Sequence, residues 1–346
     1  MKLLFIVRKV DKDDAVAGFA YQWISKLAHQ VTELKVICLE QGNISGLPAH
    51  VQAYSLGKER GKNRWREFWL FQKYLMRLVP KVDGVWAHQN PEYSILAAFW
   101  THLFHKRLVS WYAHGSVNWK VRLMTALTNV VATSSAQGFL LPTKKLIILQ
   151  QGIDTELFAF KPKLSEAQIT LMSIGRITPS KNLVWSIDLV NDLKKNGQQV
   201  RLVIIGEAGR AGDTDYVRTL QEQITKLQLQ TEVEIRGAVA NADLPLTLSQ
   251  ADILINCSHT GSLDKVVLEA MSTGTLVVTS NVAYREMFGR MSVNVFADSY
   301  ADLLARTQAL INLVPEARHT LQQELRSEVV THHNLDSLVR KITELY

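Results

Sequence analysis

Cysteine is scarce in this chain, with two residues in 346. Cys38 and Cys257 lie in apolar contexts far apart in sequence. A disulfide framework is therefore not expected, and a reducing cytoplasm is the expected home. No run of about 18 apolar residues occurs, which argues against a membrane-spanning helix. The opening MKLLFIVRKVDKDD turns charged too soon for a signal peptide and reads as a first buried strand. No metal ligands cluster in the sequence, so no metal or other cofactor is expected. The first strand is not followed by a Gly-x-Gly-x-x-Gly fingerprint. Ala17-Gly18 stands there instead, which argues against a dehydrogenase. There is also no low-complexity tract and no short-period repeat.

What is present is a chain that is 47% hydrophobic, at a length that suits two α/β domains. Short apolar runs alternate with amphipathic stretches, the pattern of layered α/β structure with parallel sheets. In the first half, strands are expected at residues 3–7, 34–39, 84–87, 108–112, 130–133 and 146–149, with helices at 19–29, 65–79, 93–104 and 119–127. Asn90-Pro91 suits a helix start, with Asn capping and Pro in the first turn. In the second half, strands are expected at 170–174, 201–205, 233–235, 253–257, 276–279 and 292–296. Helices are expected there at 183–196, 215–227, 244–249, 266–273 and 301–313. Residues 152–166 lack periodicity, contain Pro162 and read as an interdomain linker. The expected domains are 1–155 and 156–329, with residues 321–346 amphipathic and a C-terminal helix, about 330–346, packing back on the first.

Charge is unevenly divided. Residues 1–155 hold 20 Lys+Arg against 10 Asp+Glu, leaving 19 against 22 in the remainder, and seven of the eight tryptophans fall in that first part. A basic, aromatic first half points to an anionic surface or acceptor. A nucleic-acid partner is not expected, because the basic charge is confined to one half and no recognition motif accompanies it.

In open parallel sheets, ligands bind beyond the carboxyl ends of the strands. Five consecutive strand ends of the second half carry polar, charged or glycine residues. They are Gly175-Arg176 through Lys181, Gly206-Glu207-Ala208-Gly209, Arg236-Gly237, Ser258 through Lys265, and Ser280-Asn281. Arg176 and Lys181 suit a diphosphate, Arg as a planar fork and Lys as a point charge. The alternative is a solvated Arg and a helix-start Lys, which the macrodipole mildly disfavours. The run from Gly261 to Gly274 reads as a glycine loop entering a short helix, whose first N–H groups suit an anion. Glu269 stands among apolar residues and needs a definite partner, such as a ribose diol. An i,i+4 pair with Lys265 is the alternative, in the poorer order. In the first half, His88 and His114 each follow a strand. Such a histidine is more often packed than catalytic, and Gly115 beside His114 favours a role for the latter. Gly18 could let backbone approach a ligand closely.

Taken together, these residues resemble the family 4 glycosyltransferases of the GT-B fold, over nearly the whole chain. The resemblance is carried by Gly18, His114, Gln151-Gly152-Ile153-Asp154-Thr155-Glu156-Leu157-Phe158, Gly175-Arg176 with Lys181, Val203-Ile204-Ile205-Gly206, and Leu268-Glu269-Ala270-Met271 ending at Gly274. It implies two Rossmann-like domains with parallel sheets facing across a cleft, and transfer of a sugar from a nucleoside-diphosphate sugar to a glycan or lipid-linked acceptor with retention. It implies that Arg176 and Lys181 neutralise the leaving diphosphate, with backbone N–H groups around Asp264, Lys265 and Val266 completing the cradle. It further implies Glu269 on the ribose, Arg236, Gly237 and Val239 beside the base, and His114 near the donor sugar. Leaving-group stabilisation then dominates, unlike the two-carboxylate chemistry of glycosidases.

The chain departs from the family's two-glutamate signature, which would put the earlier glutamate at position 261. Gly261 stands there, followed by Ser262, Leu263, Asp264 and Lys265. This variant is similar to a bacterial subgroup of the family. Either Asp264 merely caps the helix, or Asp264 or Lys265 takes over contacts to the donor sugar or phosphate. Two alternatives to a retaining transferase remain. One is a non-catalytic sugar-nucleotide-binding subunit, and the other is a different GT-B enzyme, an epimerase or an inverting transferase. Residues 57–81 hold eight Lys/Arg against two Asp/Glu. Their stripe of Trp65, Phe68, Trp69, Gln72 and Leu75 is expected to pack in the core. The basic rim is expected to meet anionic lipid at the inner face of the cytoplasmic membrane.

Overall fold

The computed structural model describes residues 1–61, 63–163, 168–209, 213–259, 261–291 and 293–346. The chain divides into two units. The first comprises Met1–Asp154, Ala240–Ala242 and Asn334–Tyr346, and the second Thr155–Val239 and Asp243–His333.

The first unit is built on β1 (Lys2–Val10), β2 (Glu33–Gln41), β3 (Val51–Ser55), β4 (Gly84–His88), β5 (Arg107–Trp111), β6 (Val130–Thr133) and β7 (Leu146–Ile148). All pair in parallel, in the order β3-β2-β1-β4-β5-β6-β7. Its helices are α1 (Gly18–Ala28), α2 (Arg64–Leu78), α3 (Pro91–Leu103) and α4 (Trp119–Leu127). Side chains alternate across the sheet. Leu3, Phe5 and Val7 of β1 pack with α1 and with the C-terminal segment, whereas Leu4 and Ile6 pack with α2 and α3. Strands covered on both faces read as continuous apolar runs, which is why β1, β4 and β6 were visible in sequence. α3 starts as expected, with the Asn90 side chain accepting from Glu92 N and Pro91 in the first turn.

An aromatic cluster fills one face. Trp23 stacks on Trp86 at 5.6 Å and meets Trp111 edge-on at 5.3 Å. Each such pair adds roughly 0.5–1.5 kcal/mol beyond burial. His88 is buried within this cluster, 5.3 Å from the Trp23 ring, and so belongs to the core.

The second unit holds β8 (Ile169–Ile174), β9 (Val200–Ile205), β10 (Val233–Arg236), β11 (Ile253–Asn256) and β12 (Leu276–Thr279). They form a parallel sheet in the order β10-β9-β8-β11-β12. Its helices are α5 (Leu183–Lys195), α6 (Thr214–Lys226), α7 (Leu244–Leu248), α8 (Lys265–Thr273), α9 (Arg285–Phe288), α10 (Tyr300–Ile311) and α11 (Pro315–His332). α12 (Leu335–Thr343) lies in the first unit, against α1. Arg326 of α11 donates to Phe158 O at 2.7 Å, Ser272 O at 2.9 Å and Thr155 O at 2.9 Å, tying the start of the unit to the end of α8. Asp252 is fully buried and accepts from Lys163 (2.9 Å), Arg318 (2.8 Å) and Thr170 N (2.9 Å). A buried carboxylate is tolerated only with such compensation.

Three expectations need correction. Among the described residues 293–296, the expected strand does not form. Phe296 makes a single bridge to Thr279, because the ladder meets β12 only at its last residue; Ser292 lies outside the described residues. β3 was missed, since as an edge strand it is only partly buried and has no apolar run. The stripe on α2 is not a core face. Leu75 is buried, but Trp65 and Trp69 are 77% and 66% exposed, and Gln72 accepts from Trp100 Nε1 of α3 at 2.7 Å. Leu164, Ser165 and Glu166 of the expected linker, and Thr260 of the run Ser258 through Lys265, lie outside the described residues.

Candidate functional site

β8 and β9 are each followed by a glycine at positive φ, Gly175 at +143° and Gly206 at +154°. The two turns press together. A Cβ on Gly206 would stand 1.9 Å from Gly175 O, so no side chain fits at position 206. Arg176 then emerges into solvent, and makes no hydrogen bond or ion pair among the described residues. A 3₁₀ turn over Pro179–Lys181 follows, and Asn182 at φ +45° leads into α5. Asn tolerates this left-handed geometry better than most residues.

Lys181 is not solvated. Its Nζ donates to Asp264 Oδ1 at 2.6 Å and to Ser258 Oγ at 3.3 Å. Asp264 is the N-cap residue of α8, yet its side chain makes no cap bond to the helix; a plain capping role is thereby corrected. Its other oxygen accepts from Asn256 Nδ2 at 3.0 Å and Asn281 Nδ2 at 3.5 Å. The carboxylate thus links the turn after β8, the end of β11 and the turn after β12. Gly261 has φ +68°, with nothing within 4 Å of its Cβ position. Ser262, Leu263, Lys265 and Val266 complete the loop and the first turn of α8.

Glu269 lies in the second turn of α8 and is buried, as is the Lys265 ammonium nitrogen one turn before it. Burial pushes the Glu269 carboxyl well above the usual carboxylate range, with the Lys265 charge opposing. Burial likewise pulls Lys265 down, with Glu269 opposing.

Arg236 ends the edge strand β10 and is exposed, with its guanidinium forked onto Glu234 at 2.6 and 2.8 Å. Gly237 is exposed next to it, and Val239 packs against Met172, Val203, Ile205 and Ala251. Gly18 and His114 belong to the first unit. A Cβ on Gly18 would meet Asn241 Cβ at 2.5 Å, so its close approach is to this chain's own side chain. His114 is exposed in the loop after β5, its N–H donating to Gly138 O at 2.9 Å. Both cysteines are free and buried, with thiols pushed up to about 12 by burial. Among the described residues, no group of three or more His, Cys, Asp or Glu forms a metal cluster.

Sequence reasoning missed Asn256, Thr279 and Tyr284. Thr279 Oγ1 donates to Asn256 Oδ1 at 2.8 Å, and Tyr284 OH donates to Asp264 O at 2.7 Å. The available signal was a polar residue closing each of two otherwise apolar strands, ILIN and LVVT.

Comparison with known proteins agrees with this architecture. Residues 154–345, more than half of the chain, match the family model described as Glycosyl transferases group 1. An alpha-monoglucosyldiacylglycerol synthase of Streptococcus pneumoniae is 28% identical over 168 residues, covering 47% of this chain and 36% of that protein. A putative colanic acid biosynthesis glycosyltransferase, WcaL of Escherichia coli, is 24% identical over 219 residues, covering 58% of this chain and 52% of that protein. These matches span from about a third to half of the relatives' own length. Among solved structures, Anabaena HepE in complex with UDP and glucose superposes with a TM-score of 0.77 at 18% identity, over 100% of this chain and 99% of that one. Similarity at that identity speaks for the fold. The chain belongs to the glycosyl transferases group 1 family.

Proposed function

We propose that this protein transfers a sugar from a nucleoside-diphosphate sugar to a hydroxyl of a glycan or lipid-linked saccharide, with retention at the anomeric carbon. One observation carries the reading. A free guanidinium (Arg176), an anchored ammonium (Lys181) and the start of α8 gather at the carboxyl ends of β8 and β11. That set suits a leaving diphosphate without a metal, since two cations and the helix N–H groups supply the compensating charge. In this reading the anomeric C–O bond to the diphosphate breaks and a new C–O bond to the acceptor forms on the same face. The acceptor proton passes to the departing phosphate oxygen. Glu269 takes the ribose hydroxyls, and Arg236, Gly237 and Val239 flank the base. The presence of UDP and glucose with HepE supports a nucleotide-sugar donor. The test is to incubate the purified protein with UDP-, GDP- and ADP-sugars and an acceptor extract, and to measure released nucleoside diphosphate. Binding without release under every condition refutes transfer.

The acceptor side is assigned to the first unit, at an anionic membrane surface on the cytoplasmic side. Trp65 and Trp69 are exposed on α2 beside exposed Arg64, Arg66, Lys73 and Arg77, and Phe99 and Leu103 are exposed on the neighbouring α3. Exposed tryptophan among cations suits the headgroup level of an anionic bilayer. Among the described residues, no helix is long and apolar enough to cross a membrane, so this contact is peripheral.

A further inference from the structure

We infer that Asn281 and Tyr284 are positioning residues that set the direction of the backbone amides in the loop entering α8. The inference rests on the proposal that this loop binds a diphosphate.

Both residues are fully buried in the turn after β12, and neither sits in the loop itself. Asn281 Nδ2 donates to Ser262 O at 2.7 Å, and Tyr284 OH donates to Asp264 O at 2.7 Å. Each thus holds one carbonyl of the loop. In a planar trans peptide the N–H points opposite to the C=O. Holding the Ser262 carbonyl therefore turns the Leu263 N–H away from Asn281. Holding the Asp264 carbonyl turns the Lys265 N–H, at the first position of α8, away from Tyr284.

The holders are themselves held. Asn281 N donates to Thr279 Oγ1 at 3.1 Å, and Asn281 Oδ1 accepts from Ala283 N at 3.1 Å. Tyr284 stacks on Phe288 with ring centroids 5.6 Å apart. Burial, with the charges of Asp264 and Glu269 adding, keeps its phenol far above the usual range. It therefore remains a donor at every working pH. Rigid support from a strand end fixes the donors before a ligand arrives, and such pre-organisation is what makes amide dipoles effective toward a phosphate. An Asn281 side chain needed only for packing would not require this donor geometry.

The test compares Tyr284→Phe, Asn281→Ala and wild type by calorimetric titration with UDP, GDP and ADP, and with uridine, guanosine and adenosine as phosphate-free probes. Tyr284→Phe keeps the ring stack and removes one hydroxyl. Each variant is expected to bind the diphosphate about five- to tenfold more weakly, the effect of one misdirected hydrogen bond, while nucleoside affinity stays at the wild-type value. Equal losses for nucleoside and diphosphate, or unchanged diphosphate binding in a variant that melts as wild type does, overturn the positioning role. If Asn281→Ala fails to fold, Tyr284→Phe alone decides. A wild-type protein that binds none of UDP, GDP and ADP overturns the diphosphate site itself, a result distinct from those two.

Discussion

Arg176 and Lys181 should respond differently to alanine, although both are assigned to the same diphosphate. Arg176 is exposed and makes no hydrogen bond or ion pair among the described residues. Arg176→Ala should therefore leave stability within about 0.5 kcal/mol of wild type. Lys181 holds Asp264 at 2.6 Å, with side chains only 16% and 13% exposed. Removing it deletes a charge-assisted hydrogen bond and leaves the carboxylate, among the described residues, with only the amides of Asn256 and Asn281. A loss of about 1.5–3 kcal/mol follows for a bond of that class. At roughly 2–4 °C per kcal/mol for a domain of this size, the second unit should melt about 3–12 °C lower. Both variants should lose kcat/KM by about 2–4 kcal/mol, the range seen when one leaving-group contact is removed. Thermal melts paired with a diphosphate-release assay read both quantities. Wild-type turnover in Arg176→Ala would refute the charge assignment, and a wild-type melting point in Lys181→Ala would refute the anchoring role of Asp264.

Other outcomes are equally specific. Gly206→Ala drives a Cβ into Gly175 O and should cost about 3 kcal/mol or more; a soluble variant with an unchanged urea midpoint contradicts the packed strand ends. Gly261→Glu has room for a side chain but places it at φ +68°, so it should cost about 1–2 kcal/mol and should not raise turnover; a gain in rate shows that position 261 lacks a needed carboxylate. Cys38 and Cys257 carry thiols raised to about 12 from 9.0 by burial. Between pH 9 and 12 the unfolded chain binds fewer protons than the native one at these sites, so stability falls as pH rises, by roughly 1.4 kcal/mol per thiol at pH 10. Alkylation at pH 8 should accordingly require unfolding, and rapid native labelling contradicts the burial. Trp65→Ser with Trp69→Ser should weaken co-flotation with anionic vesicles about tenfold, and unchanged flotation removes α2 from the membrane contact.

Much of the fold was legible because parallel strands covered on both faces must be apolar throughout. β6 and β12 fall at the expected boundaries for that reason, and α4 falls at its expected bounds with the Asn118 side chain capping its start. β3 escaped because an edge strand with half its surface wet carries no such run. The α2 stripe misled because helical spacing reports which residues share a face, not whether anything covers that face. Trp65 and Leu75 fit one stripe, yet only Leu75 meets the core.

The candidate site divides in the same manner. Arg176, Lys181 and Glu269 stand out from their local contexts, since an Arg after a strand and a Glu among apolar residues each demand an explanation within a few positions. The roles of Asp264, Asn281 and Tyr284 could not be read that way. Asp264 could be read locally only as a helix cap or as a donor contact, whereas its carboxylate is taken by Lys181, 83 positions earlier, and by Asn256. Local patterns are governed by short-range backbone geometry, which the chain carries wherever it goes. The partner of a polar side chain is set by which strand ends the sheet order β8-β11-β12 brings side by side. That adjacency exists only once the chain has folded.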